Sequence, residues 1–185
     1  DRAWLRTGDY GFLRNGELYV TGRLKDLIIV RGRNIYPQDI ERLAEQHLAF
    51  IEPNAAAAFS IEDANESRLV LVIEANRDMV RWSRNVASHQ SEISTLGEAI
   101  ESLRAAVIDQ FEVVLNDIVF VRPTTFPRTS SGKVQRRLCR KLHIAGSLET
   151  VLEGQFSSVR EERETAAASV SAEVDQVQAQ AVHTN

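Results

Sequence analysis

The sequence predicts an α+β fold: a small mixed β-sheet flanked by helices, with a β-hairpin ahead of it. Three observations predict it. Short apolar runs such as Leu69–Ile73 are the length of strands and too short for helices. Two stretches, Ile40–Leu48 and Leu96–Val114, carry apolar residues at i, i+3, i+4 and i+7, the period of a helix with one packed face. The order hairpin, helix, strands, helix, strand, helix mixes the two types along the chain.

Length and composition set the frame. The chain has 185 residues and 43% apolar residues, enough for one modest core with flanking pieces. No apolar run approaches the roughly 20 residues of a membrane span, and the N-terminus shows no secretory pattern. The single Cys139 gives neither an internal disulfide nor a zinc spacing, so a reducing, cytoplasmic setting is expected. The four histidines are scattered and predict no metal site; His47 falls at the edge of a packed helix face. The net charge of −4 argues against bulk nucleic-acid binding. That charge is uneven: between Asp117 and Glu149 there is no acid, while Arg122, Arg128, Lys133, Arg136, Arg137, Arg140 and Lys141 all fall there.

Three segments are expected: residues 1–24, residues 25–148 as the folded unit, and residues 149–185 as an acidic, Ala/Ser/Gln-rich tail or linker. The chain starts at Asp1 without an initiator methionine. Two short apolar alternations then meet at Asn15-Gly16, a strong hairpin signal. Such a hairpin cannot bury both faces alone. It is therefore expected to be the end of a larger N-terminal domain not included in this chain. Leu27–Val30 reads as a buried strand, Arg31–Asn34 as a tight turn, and Ile35-Tyr36 as its return. Pro37 opens a helix, with Asp39 and Glu41 where the dipole favours acids, and Glu52-Pro53 should close it. Ala55–Ile61 and Arg68–Glu74 read as strands around a polar turn. Asn76–Ser94 reads as irregular or weakly helical. Asp117–Arg122 is the next strand, and Pro123 stops it. The tail from about Gly154 has no sustained apolar face, although Val170–Val182 could form a marginal helix.

One loop stands out. Phe126-Pro127-Arg128-Thr129-Ser130-Ser131-Gly132-Lys133 has a proline at its entry, three hydroxyls, a glycine and a terminal lysine. It can carry a cation on a mobile arm and offer hydroxyls and amides to an anion. It is not the G-x-x-x-x-G-K-[ST] phosphate loop, because only one glycine is present. Taken alone, it reads first as a Ser/Thr-rich turn capping the basic helix that follows. That helix should place Val134, Leu138 and Leu142 on an apolar stripe apart from Arg136, Arg137, Arg140 and Lys141.

Thr7-Gly8-Asp9, then Gly22-Arg23 with Lys25, then this loop, occur in one order in one chain. The combination resembles the C-terminal part of the adenylate-forming superfamily of acyl-CoA synthetases, peptide-synthetase adenylation domains and luciferases. The run from Arg31 to Glu41 (RGRNIYPQDIE) looks more specifically like the fatty acyl-AMP ligases. The resemblance covers roughly residues 4–145. It implies an ATP-dependent acid ligase that converts a fatty acid to an acyl-adenylate and passes the acyl group to an acyl carrier protein. Mg²⁺ would accompany ATP, with ligands outside this chain. Lys133 would be the catalytic cation, touching carboxylate and α-phosphate as charge develops between them. Asp9 resembles the ribose ligand, and Arg23 the arginine that contacts ribose or phosphate. Lys25 lies where such proteins hinge between two orientations of the C-terminal domain. Arg31, Arg33, Arg136, Arg137 and Arg140 could meet a carrier protein or a phosphate. The large N-terminal domain of the family is absent from this chain, so this piece alone is expected to be inactive. Two other readings stay open here: the same subdomain of an acyl-CoA synthetase, and a non-catalytic binding module whose basic helix docks an acidic partner or nucleic acid.

Overall fold

A computed structural model describes residues 5–63 and 66–152. The expected linker and marginal helix beyond Gly154 lie outside the described residues. Strands β1 (Asp9–Arg14) and β2 (Glu17–Arg23) form the first hairpin. Asn15 and Gly16 both have positive φ, 54° and 82°, which suits the right-handed twist of two paired strands. The large apolar residues of this hairpin are uncovered among the described residues: Phe12, Leu13, Leu18 and Val20 are all exposed, and Phe12 stacks on Tyr19.

Strands β3 (Ile28–Val30) and β4 (Arg33–Ile35) form a second hairpin, turned by Arg31 and Gly32, again with positive φ. The segment expected to be buried is buried on one side only. Ile28 and Val30 enter the core, while Ile29 between them is 55% exposed, as strand alternation requires. Helix α1 (Pro37–His47) starts at Pro37 as expected. It stops five residues short of Glu52, because Leu48 leaves helical geometry at φ −109°, ψ 78°. The chain then turns through Ile51 back to Leu48 O.

The main sheet runs β5-β6-β7-β8, with β5 (Ala56–Asp63), β6 (Glu66–Glu74), β7 (Leu115–Val121) and β8 (Thr150–Val151). The β5–β6 pair is antiparallel, β6–β7 parallel and β7–β8 antiparallel, so the sheet is mixed. The β5–β6 pairing continues into the polar segment expected to be a turn, because backbone pairing does not require apolar side chains. Between β6 and β7 the chain crosses over through α2 (Arg77–Arg84) and α3 (Gln90–Phe111). Helix α2 falls in the stretch expected to be irregular or weakly helical, and the helical alternative holds there. Asn76 caps it, its side chain accepting from Met79 N, and Met79 anchors it in the core. Helix α4 (Arg136–Ile144) follows the loop.

Alternation along β6 divides the molecule. Leu69, Leu71 and Ile73 face one core together with α1, α3 and the β3–β4 hairpin. Val70 and Val72 face the other, with Phe59, Phe126 and Cys139 of α4. Cys139, not Leu138, is the innermost residue of α4; Leu138 is 38% exposed. Strand β8 and the buried Leu152 carry the fold four residues past the boundary expected at 148. Among the described residues, no helix is long and apolar enough to cross a membrane.

Candidate functional site

The Lys133 loop is paired with itself. Thr129 N donates to Lys133 O at 2.8 Å, Gly132 N to Thr129 O at 2.9 Å, and Lys133 N to Thr129 Oγ1 at 3.0 Å. Arg128 and Val134 bridge at its base. Gly132 takes φ +80°, a conformation costly for any residue with a side chain. The loop is therefore a closed Ser/Thr-rich turn, as its residues read alone, although no side-chain cap bond starts the helix after it. The freedom that remains lies in the exposed Lys133 side chain.

The turn is strung between two carboxylates. Upstream, Arg128 Nη2 donates to Glu74 Oε2 at 2.8 Å and its guanidinium lies 5.0 Å from the Phe126 ring centroid. Downstream, Arg136 donates from Nε and Nη2 to the two oxygens of Glu41 at 2.6 and 2.5 Å. Glu41 is only 8% exposed and also accepts from Ala58 N. Hydrogen bonding to Glu41 holds the Arg136 guanidinium above its ordinary pKa. No local signal in the sequence gives either carboxylate its partner. Glu41 reads as a dipole acid at the start of α1, and its partner lies 95 residues away. The one available signal was its position beside Ile40 and Ala44 on the buried face.

Across from the turn lies the end of the first hairpin. Gln38 Nε2 donates to Thr21 O at 2.6 Å, and Thr21 Oγ1 donates to Tyr36 Oη at 3.2 Å. A Cβ on Gly22 would lie 3.1 Å from both Gln38 and Tyr36, so the backbone seats closely on the start of α1. An open groove of about 670 Å³ separates this end from the turn. Arg23, Asp26 and Gln38 line it on one side, and Lys133, Arg136 and Arg137 on the other.

The structure thus brings Arg23 and Lys133 to one groove. Asp9 is not part of its lining. It faces Arg23 across the β1–β2 pairing, with Oδ1 3.3 Å from Arg23 Nε. Lys25 sits in the single turn Leu24–Asp26 and lines a smaller cleft of about 330 Å³ with Ser60, Arg137 and Arg140. Arg137 borders both clefts and, among the described residues, has no hydrogen-bond or ion-pair partner. Arg140 donates to Ser60 O at 2.8 Å. Arg31 and Arg33 line neither cleft; they pair with Glu66 and Glu112. Among the described residues, no group of three or more His, Cys, Asp or Glu could hold a metal ion. Chemically, the larger groove sets the cations Arg23, Lys133 and Arg137 beside an apolar strip of Val134 and Leu138. It suits a polyanion that a second surface would complete.

A family model described as the AMP domain of Disco-interacting protein 2-like proteins matches residues 25–153. The medium-chain-fatty-acid–[acyl-carrier-protein] ligase JamA of Moorena producens is 39% identical over 146 residues, covering 79% of this chain and 23% of that protein. The long-chain-fatty-acid–AMP ligase FadD32 of Mycolicibacterium smegmatis is 36% identical over 168 residues, with 80% and 25% covered. A solved structure from a study of fatty acyl-adenylate ligases of E. coli and L. pneumophila aligns with a TM-score of 0.57 and 40% identity. It covers 77% of this chain and 22% of that one. The chain therefore spans about a quarter of the length of the relatives it matches.

Proposed function

The chain belongs to the Disco-interacting protein 2-like AMP-domain family of adenylate-forming proteins, and from that premise we propose that it is the moving subdomain of a fatty acyl-AMP ligase. The observation that carries the reading is the groove with Arg23 on one wall and Lys133 on the other. In the complete enzyme a fatty-acid carboxylate oxygen attacks the α-phosphorus of ATP and pyrophosphate leaves. Negative charge concentrates on the oxygens around that phosphorus. Lys133, held on a closed turn, meets this charge without reorganising during the reaction. Arg23 contributes a second cation to the phosphate or ribose, and Asp9 accepts from ribose hydroxyls once the nucleotide displaces its contact with Arg23. Lys25 is the hinge. Rotation there withdraws Lys133 and brings the smaller basic cleft toward the acceptor. The acceptor's thiolate sulfur then attacks the acyl carbonyl, and AMP leaves.

We assign the phosphopantetheine of an acyl carrier protein as the acceptor. Arg137, Lys141 and Lys25 present exposed positive charge where an acidic carrier surface would dock. The test offers the complete enzyme holo-carrier protein and free coenzyme A in parallel. The reading expects acylated carrier to dominate. Acyl-CoA formed with no preference for the carrier would instead make this an acyl-CoA synthetase.

A further inference from the structure

We infer that Glu74, at the end of the central strand β6, is a positioning residue for Lys133 and acts through Arg128. The inference rests on the proposed role of Lys133.

Glu74 is 59 positions from Lys133 and touches no part of the groove. Its two oxygens hold two different segments. Oε1 accepts from Thr124 N at 2.9 Å, where Thr124 takes φ 72° and turns the chain out of β7. Oε2 accepts from Arg128 Nη2 at 2.8 Å. Arg128 is held on several sides at once. One face lies over the buried Phe126 ring, and Nη1 reaches the carbonyl of Gly132, the residue before Lys133, at 3.4 Å. Its own carbonyl accepts from Gln135 Nε2 at 2.6 Å. Residues 129–133 themselves are exposed and pack against neither core. A closed turn without core contacts keeps its shape but not its direction. The base of the turn is tied down at Phe126, at the Arg128–Val134 bridge and by Arg136 on Glu41; the tie that reaches the tip itself runs from Glu74 through the Arg128 guanidinium to the Gly132 carbonyl.

An exposed ion pair contributes little to stability. This pair is mostly shielded, with side-chain exposures of 29% for Arg128 and 21% for Glu74. Its value lies in geometry, because a misplacement of about 1 Å at a reacting group costs up to about 10²-fold in rate. A cation placed at the end of a flexible four-carbon stem needs its backbone fixed if it is to meet the transition state.

Glu74→Gln keeps an acceptor for Thr124 N and removes the charge that holds Arg128. Two readouts follow. In the isolated chain, hydrogen exchange at the Thr129 and Gly132 amides should accelerate, while Leu71 in mid-strand keeps its protection. In the complete enzyme, acyl-AMP formation should fall by about 10- to 10²-fold in kcat. Acyl transfer from pre-made acyl-AMP should be unchanged. Arg128→Gln should reproduce both effects and serves if Glu74→Gln does not fold. Lys133→Ala is measured beside them. If Lys133→Ala slows adenylation selectively and Glu74→Gln does not, the inference is overturned. Unchanged exchange at Thr129 and Gly132 overturns it whatever Lys133→Ala does. A Lys133→Ala variant that shows no selective loss counts against the proposed function instead.

Discussion

Replacing Arg136 with alanine should separate the cations that build this fold from those free to meet a partner. Arg136 gives two short hydrogen bonds to Glu41, whose side chain is 10% exposed. Removing the guanidinium leaves Glu41 with the Ala58 amide at 3.0 Å and no opposing charge. Breaking a buried pair from one side costs about 3–5 kcal/mol. Here the Arg136 side chain is 24% exposed, so water can enter the vacated space and soften the loss. We expect about 2–4 kcal/mol. With a urea slope near 2 kcal/mol/M, the unfolding midpoint should drop by about 1–2 M at constant slope. Arg137, the next residue, is exposed and unpartnered among the described residues; Arg137→Ala should stay within about 0.5 kcal/mol of the parent. Urea denaturation of the three chains, followed by circular dichroism, makes the comparison. Equal midpoints for the two variants would refute the claim that the Glu41–Arg136 pair holds α4 to α1.

Reversing Lys141, which is exposed and lines neither cleft, to glutamate in the complete enzyme should slow transfer to a carrier protein, most at low salt, and leave adenylation intact. A loss independent of ionic strength would remove the docking role. Lys25→Pro fixes φ at the expected hinge, so one half-reaction should survive while overall turnover fails; normal turnover would place the hinge elsewhere. Burial pushes the Cys139 thiol up to about 12. The folded state thus favours the neutral thiol. Its contribution is complete below the ordinary value of 9.0 and is lost as pH rises toward about 12. Native protein at pH 8 should not react with a disulfide reagent, and rapid labelling would contradict the buried position. His143 is lowered by burial, so its contribution is complete above its ordinary 6.5 and lost as pH falls through the folded value. Thermal unfolding between pH 7 and 5 should follow that sense.

Much of the fold was legible from the sequence because the signals were local. Asn15-Gly16 and Pro37 each act through their own backbone angles, and the Leu69–Ile73 run through strand period and length. What escaped the sequence depends on partners far along the chain. Helix α2 has few apolar residues, and a single Asn76 cap with Met79 as anchor in the main core suffices. Strand β8 is two residues long and exists only because β7 offers it an edge. At the candidate site, motif order pointed to Lys133, Arg23 and Lys25. It gave no hint that Arg136 is spent on Glu41, or that Arg31 and Arg33 pair with Glu66 and Glu112. Those pairings join residues 95, 35 and 79 positions apart, a separation at which charge pattern carries no positional information.

The central claim is that Lys133 serves adenylation and leaves before transfer. The most direct measurement is the rate of each half-reaction in the complete enzyme carrying Lys133→Ala. Acyl-AMP formation is followed by pyrophosphate release, and transfer by loading of carrier protein from pre-made acyl-AMP. The account predicts a loss of roughly 10²-fold or more in the first, the scale for removing one preorganised electrostatic contact, and little change in the second. Equal losses in both half-reactions would contradict it.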